Sequence, residues 1–353
     1  MELSLLSRRR FGLTALAFLP SCGTVSVVSQ HGAGEAALLL PLSGANAGVG
    51  AAMAQAADLA GLGRAPESMP RRYDTGDTAE GAAAAAVAAL DDGARLLMGP
   101  LRSDQTPAVL AVAGSVPVLT FSNDDRLQGA FVFGVTAAQS VSAMFSYAVS
   151  QGISRVAVVA TQGPLGAAAG TAAVQIAAAG GLNLSAVVLR DPTAPGLVQA
   201  IREASGGVLP QAVFLPDGGL ALAAFVRGLR GSTLQVLGSV QWGIGDVAGN
   251  AALDGAAFAA PAPDLFQPFS DRYLATYGVE PGVVAALGYD AVLMAMGLGD
   301  AGALNRQGLL RKAGFTGVLG GFRFDKTGRC HRDLAVLGIE QGRVVIRAEV
   351  VGT

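Results

Sequence analysis

EAALLLPLSG, residues 35–44, followed by ANAGVGAAMAQAADLAGL, residues 45–62, is the stretch that decides the fold. Residues 35–40 form an apolar run without helical periodicity, and Pro41 ends it because proline lacks an N–H and fixes φ. A loop rich in small and polar residues follows, and the alanine-rich segment after it predicts a helix. A loop at the carboxyl end of a first strand is where open α/β sheets bind ligands.

Residues 1–22 have the pattern of an export signal. Arginines at 8–10 precede an uncharged stretch that is too short to span a bilayer, and small residues follow it. Ser-Arg-Arg-x-Phe resembles a twin-arginine signal, and Leu-Pro-Ser-Cys resembles a lipobox in which Cys22 becomes the lipidated N-terminus. The alternative is a plain secretory signal cleaved near Ser21. In both cases we expect an exported protein whose residues 23–34 are a tether.

Composition excludes several partners. The chain is 51% hydrophobic and 14% charged, its net charge is −2, and it has no basic run after Arg10, so we expect no nucleic acid and no polybasic membrane contact. Its two cysteines, Cys22 and Cys330, cannot build a disulfide framework. Cys330 and His331 could form a reactive or metal-binding pair, but adjacent residues are poorly placed to ligate one ion, and we interpret this segment as a turn.

Apolar runs alternate with alanine-rich helical segments, which predicts two parallel sheets built from βαβ units. The first set has strands at 35–40, 71–74, 95–98 and 118–121 and helices at 50–62, 78–91 and 104–113. The second has strands at 155–160, 185–189, 212–215, 234–237 and 256–260. After a helix at 137–150, later helices at 264–277 and 281–297 precede strands at 320–324, 334–340 and 343–350. We therefore expect an α/β protein of two lobes, each a parallel sheet flanked by helices, joined by a multi-crossing hinge.

The motifs of common enzymes are absent from the sequence. There are two histidines, and no Gly-x-Ser-x-Gly, His-Glu-x-x-His or Cys-x-x-Cys pattern occurs. Gly48-Val49-Gly50, with Asp74 further on, superficially resembles a dinucleotide fingerprint, but Pro41 and Met53 stand where that motif needs small residues. We expect no enzyme activity, no cofactor and no metal.

Polar residues follow the predicted strands of the first lobe: Ser43, Asn46, Ser103, Ser122 and Asn123. Because the carboxyl ends of parallel strands share an edge, these side chains and the following helix N-termini could converge on a small polar ligand. Helix capping is the alternative for each of them.

The strand and loop sequences LLPLSG, MGPLRS and VPVLTFSN resemble, in order, landmarks of the type I periplasmic binding proteins, the leucine/isoleucine/valine receptor superfamily. The resemblance spans residues 35–350 and implies three hinge crossings. It assigns residues 35–135 and 262–317 to lobe 1, and residues 136–261 and 318–353 to lobe 2.

Within this superfamily the chain is most similar to the penicillin-binding protein activators, outer-membrane lipoproteins that stimulate peptidoglycan synthases. Residues 269–281, 286–291 and 314–335 carry this likeness. The resemblance implies a non-catalytic periplasmic lipoprotein that binds a penicillin-binding protein and is anchored only by its lipid.

The alternative is the substrate-binding protein of an ABC permease for an amino acid or similar small polar solute. For such a site the resemblance implies that Ser103, Ser122 and Asn123 bind a carboxylate. In lobe 2, Leu165 replaces the usual aromatic residue, Gln241-Trp242 replaces an acidic residue, and Asp217 is left as a substitute partner for an amino group. These departures weaken the prediction of free amino-acid binding, because an unpaired buried ammonium is costly.

Overall fold

The computed structural model describes residues 35–243, 247 and 249–350 of the 353-residue chain. The predicted export signal, the lipidation site Cys22 and the tether lie outside the described residues. The α/β class with two lobes is confirmed, and most elements begin and end within a few residues of the predicted positions.

A five-stranded parallel sheet forms the core of lobe 1, in the order β2-β1-β3-β4-β5. Its strands are β1 (Ala36–Leu40), β2 (Arg71–Asp74), β3 (Leu96–Met98), β4 (Val118–Thr120) and β5 (Phe131–Val132). Three connecting helices flank it: α1 (Ala47–Ala60), α2 (Ala79–Asp91) and α3 (Thr106–Ala113). The apolar run of β1 is buried along its whole length, as expected for a strand covered on both faces.

Seven strands form the sheet of lobe 2, in the order β15-β14-β10-β9-β8-β6-β7. The strands are β6 (Arg155–Ala160), β7 (Asn183–Leu189), β8 (Ala212–Leu215), β9 (Gln235–Gly238), β10 (Ala257–Ala260), β14 (Leu334–Glu340) and β15 (Arg343–Val350). The flanking helices are α4 (Ala137–Ser150), α5 (Pro164–Gly180), α6 (Leu197–Ala204) and α7 (Gly219–Gly228). β14 and β15 pair antiparallel and extend an otherwise parallel sheet beyond β10.

After β10 the chain returns to lobe 1 as α8 (Pro263–Tyr277), α9 (Val283–Asp300) and the short α10 (Arg306–Leu309). α9 packs along α1, and a Cβ at Gly288 would lie 2.6 Å from the Met53 carbonyl oxygen, so this crossing requires glycine. Among the described helices, α9 alone is long and apolar enough to cross a membrane, but 67% of it is buried, as in the core helix of a soluble fold.

A small antiparallel sheet of β11 (Phe315–Gly317), β12 (Gly320–Phe324) and β13 (Cys330–Arg332) packs against β5. The rings of Phe131 and Phe324 are 5.2 Å apart, and those of Phe133 and Phe322 are 5.0 Å apart. The structure therefore places residues 320–332 with lobe 1, and the last crossing lies at Asp333 rather than at the expected boundary after residue 317. Cys330 is likewise a buried residue of β13 and not part of an exposed turn.

Asp290 and Arg332 form a buried ion pair beside the last crossing between the lobes. Arg332 lies 3.8 Å from the Asp290 carboxylate, and it donates a hydrogen bond to the Phe133 carbonyl oxygen at 3.2 Å. Asp290 also accepts the N–H groups of Val318 at 2.7 Å and Leu319 at 3.2 Å. Burial raises the pKa of Asp290 to about 6, although the Arg332 charge and these two donors favour the carboxylate. This pair connects α9 and β13 to the chain segment that leaves β5.

Candidate ligand-binding cleft

A cavity of about 760 Å³ lies between the two lobes. Lobe 1 contributes the segments after β3, β4 and β5 and the N-terminal end of α9, and lobe 2 contributes the segment after β9. The polar side chains on its wall are those of Arg102, Ser103, Asp104, Ser122, Asn123 and Gln241. The apolar side chains on its wall are those of Leu101, Phe121, Val135, Val240, Val283, Val284 and Leu287.

Buried threonines hold the two lobe 1 loops together. The hydroxyls of Thr106 and Thr120 are 2.9 Å apart, and Thr120 donates to the Pro100 carbonyl oxygen at 3.1 Å. The Ser122 N–H in turn donates to the Thr120 hydroxyl at 3.2 Å. These bonds position the loop that carries Ser103 beside the strand end that carries Ser122.

The polar groups of this wall are largely available to a ligand. Within the described part of the chain, the Ser103 hydroxyl and the Asn123 side-chain amide make no hydrogen bond. The Ser122 hydroxyl accepts the Asp124 N–H at 3.0 Å and retains its own O–H as a donor. α3 begins just behind Ser103, so the positive end of its dipole lies near the same wall. Such a set of donors suits an anionic oxygen.

The two charged residues of the wall bind each other. Arg102 donates to Asp104 from Nε at 2.9 Å and from Nη2 at 2.7 Å. The hydrogen bonds from Arg102 lower the pKa of Asp104, so this carboxyl is ionised and engaged at neutral pH. On the cavity wall, no other aspartate or glutamate is present.

Two of the lobe 2 residues singled out in the sequence have structural roles instead. Asp217 is buried and accepts the Thr161 N–H at 3.0 Å and the Thr161 hydroxyl at 2.5 Å. Trp242 is 0% exposed, donates from Nε1 to the Leu215 carbonyl oxygen at 2.9 Å and stacks on Phe258. The resemblance makes Trp242 a candidate residue of the ligand cleft, and the structure contradicts this, because Trp242 is not on the cavity wall. Asp217 and the half-buried Leu165, in the first turn of α5, are absent from the cavity wall.

Ser43 and Asn46 are also absent from the cavity wall. Asn46 donates to the Asp77 carboxylate from its side chain at 2.8 Å and from its N–H at 3.2 Å. The Ser43 N–H donates to Asp74 at 3.1 Å. Asp74, at the end of β2, and Asp77, in the segment after it, thus hold the loop between β1 and α1 away from Ser103 and Ser122.

The structure therefore brings together Ser103, Ser122 and Asn123 of the predicted set. Sequence reasoning missed the apolar wall and the contribution of α9, because Val283 and Leu287 are far from the strand ends along the chain. Among the described residues, no group of three or more His, Cys, Asp and Glu side chains could hold a metal ion.

Two α/β lobes, several crossings between them and a polar cavity in the cleft define the class of two-lobed solute-binding proteins. A family model described as periplasmic binding protein matches residues 35–343. The chain belongs to this family, and the superfamily expected from the sequence is confirmed.

Solved structures agree with this assignment. A candidate branched-chain amino acid ABC transporter protein from Rhodospirillum rubrum superposes with a TM-score of 0.77 at 25% identity, covering 88% of this chain and 99% of that one. A leucine-binding protein from Thermotoga maritima gives 0.63 at 21% identity, covering 90% and 98%. A solute-binding protein of R. palustris, solved with benzoate, gives 0.63 at 18%, covering 90% and 96%. The comparison with curated proteins finds no match.

These comparisons favour the alternative, an ABC-transporter solute receptor, over the penicillin-binding protein activator. A family of exported binding proteins also implies a periplasmic location. The activator role, the outer membrane and the lipid anchor remain predictions that no comparison tests.

Proposed function

We propose that this protein is the periplasmic receptor of an ABC permease and that it binds a small carboxylic acid with an apolar body and no ammonium group. One observation carries the proposal: the cavity wall offers hydroxyl and amide donors, whereas its one carboxylate, Asp104, is already bound to Arg102. The wall therefore complements a carboxylate and not a cation.

The ligand carboxylate would lie against Ser103, Ser122 and Asn123. Hydrogen bonds to a charged group contribute about 1.5–3 kcal/mol each, so this cluster could supply most of the orientation. The apolar body would lie against Phe121, Val135 and Val240, which suit an aromatic ring or a branched alkyl chain. Gln241 would close over the ligand from lobe 2 as the hinge shuts.

An amino acid would bury its ammonium group without a carboxylate partner on this wall, at a considerable cost in free energy. Two structures of the same fold were solved with aromatic acids: the R. palustris protein with benzoate, and another from strain BisB5 with a dihydroxybenzoic acid. At identities of 18% and 19% these relatives support the fold, and the ligand class rests on the cavity wall of this chain.

The test is a matched pair of ligands. Isocaproate is leucine without its amino group, so the pair isolates the ammonium, and benzoate serves as an aromatic probe. Protein refolded from denaturant to remove any retained ligand would be titrated with each by calorimetry. We expect saturable binding of isocaproate or benzoate and binding of leucine at least about 100-fold weaker.

Tighter binding of leucine than of isocaproate would contradict the proposed ligand class and would favour an amino acid as the ligand of the cleft. If neither acid binds and the soluble domain retains a class A peptidoglycan synthase in a pull-down, the receptor proposal fails and the activator prediction replaces it.

A further inference from the structure

A second cavity, of about 320 Å³, shares no lining residue with the interlobe cleft. Lobe 1 contributes the β4–β5 loop, β5 and the β12–β13 hairpin, and lobe 2 contributes the facing surfaces of α4 and α5. The role proposed for the cleft makes no use of this cavity, although it contains Cys330 and His331, which stand out in the sequence.

The polar side chains at the floor of the second cavity bind groups of the protein. Thr136 and Gln139 form a capping box at the start of α4, and the Gln139 side chain donates to the Cys330 carbonyl oxygen at 2.7 Å. Val132 and Ile176 supply apolar surface. Burial raises the pKa of the Cys330 thiol, so it is neutral and a poor nucleophile. A ligand in this cavity would therefore bind without a covalent bond to Cys330.

The β12–β13 hairpin presents a guanidinium to this cavity. Asp325 accepts the N–H groups of Thr327 at 2.8 Å and Arg329 at 3.1 Å, and it lies 3.3 Å from His331. The hairpin turn is also attached to β5, because the Val132 N–H donates to the Gly328 carbonyl oxygen at 2.8 Å. The guanidinium of Arg329 makes no hydrogen bond or ion pair within the described residues.

An opposite charge lies on the same cavity wall. Asp125 makes no hydrogen bond or direct ion pair in the part of the chain that the structure describes. The adjacent cation, Arg126, instead donates to Asp124 from two nitrogens, both at 2.8 Å. The cavity thus combines an available cation and an available anion from lobe 1 with the hydroxyl of Ser142 and the amide of Gln175 from lobe 2.

We propose that this cavity binds a small zwitterion, a free α-amino acid with a short side chain. Arg329 would bind its carboxylate and Asp125 its ammonium, while Ser142 and Gln175 would supply polar contacts from lobe 2. Because both lobes line the cavity, its occupancy depends on the arrangement of the lobes and is thermodynamically coupled to ligand binding in the cleft.

Calorimetric titration of the refolded soluble protein with glycine, L-alanine and L-serine tests the proposal. Acetate and methylamine are the matched probes with one charge each. We expect one of the amino acids to bind saturably and both single-charge probes to bind at least about 10-fold more weakly. Arg329→Gln and Asp125→Asn should each weaken that amino acid by at least about 10-fold, whereas Arg126→Gln should leave it unchanged.

Three results would overturn the proposal. One is the absence of saturable binding by all three amino acids at about 10 mM, because that limit corresponds to less than about 3 kcal/mol of binding free energy. A second is acetate binding as tightly as the best amino acid, which would make the cavity a simple anion site. The third is amino-acid binding that Ser103→Ala abolishes and Arg329→Gln leaves intact, which would place the ligand in the cleft.

Discussion

The two lobes use their polar residues differently at the cleft. In lobe 1, Ser103 and Asn123 face the cavity without internal partners, and buried threonines behind them hold their loops. In lobe 2, the Asp217 carboxylate accepts the Thr161 N–H, and the Trp242 indole N–H donates to the Leu215 carbonyl oxygen. Both polar groups are therefore engaged within the lobe. Under the proposed function, this difference would make lobe 1 the lobe that binds the ligand, while lobe 2 would close over it. Polar residues at strand ends line the cavity in lobe 1, whereas Asp217 at a strand end of lobe 2 does not.

Removing both lobe 1 hydroxyls should have the largest effect. In Ser103→Ala/Ser122→Ala, two donors to the ligand carboxylate are lost, so the affinity for isocaproate or benzoate should fall at least about 100-fold. Calorimetry measures this change, and circular dichroism melting shows whether the variant remains folded.

Ser43→Ala is the matched control, because Ser43 lies in the lobe 1 loop that does not reach the cavity, and it should leave the affinity unchanged. A folded double variant that still binds within about threefold of the wild type would show that lobe 1 is not the ligand-binding wall.

Asp217→Asn tests the opposite role in lobe 2. The asparagine cannot accept both Thr161 bonds as well as a carboxylate does, so the free energy of unfolding should fall by about 1–2 kcal/mol in urea titration. The affinity for isocaproate should change less than about threefold. Asp191→Asn, an exposed carboxylate bonded to Thr193 in the same lobe, should cost less than about 0.5 kcal/mol.

If Asp217→Asn instead reduced leucine affinity more than about 10-fold, Asp217 would be the ammonium partner that the sequence suggested. The contrast between the lobes would then be wrong.

Among the described residues, the buried carboxylates are Asp217 and Asp290. Asp290, in lobe 1, leads to a prediction of how the stability of the protein depends on pH. Its pKa is raised to about 6, so below that pH the folded protein binds a proton that the unfolded chain, with its normal pKa, does not bind. Stability should therefore rise as pH falls, by about 1.3 kcal/mol from this group between pH 7 and pH 5. Urea unfolding at the two pH values measures the change.

Asp290→Asn removes the titrating group and should lack this gain, so the difference between the two proteins isolates Asp290 from every other ionisable residue. Identical pH profiles for wild type and variant would mean that Arg332 keeps this carboxyl at an ordinary pKa.

The alternation of strands and helices could be predicted because most of the β strands are short apolar runs and several of the helices are alanine-rich. The last crossing could not, since β13 has only the three residues Cys330–Arg332 and little apolar pattern. Ser103 and Ser122 could be placed together because their strands are neighbours in the sheet. The loss of Asn46 from this group could not be foreseen, because it depends on Asp77, a contact between distant parts of the chain.

Trp242→Phe should have the smallest effect. This substitution tests whether the Trp242 side chain belongs to the core of lobe 2 or contacts the ligand. Phenylalanine would keep the stacking on Phe258 but leave the Leu215 carbonyl oxygen without its donor, so stability should fall by about 1 kcal/mol with ligand affinity unchanged within about twofold. A Cβ at Gly238 would lie 2.2 Å from the indole ring, so the ring packs directly on the backbone of β9. Since Trp242 is the one tryptophan of the chain, the wild-type protein should show the blue-shifted emission of a buried indole before and after ligand addition. If a stable Trp242→Phe variant lost more than about fivefold in ligand affinity, Trp242 would contact the ligand, and lobe 2 would take part directly in binding.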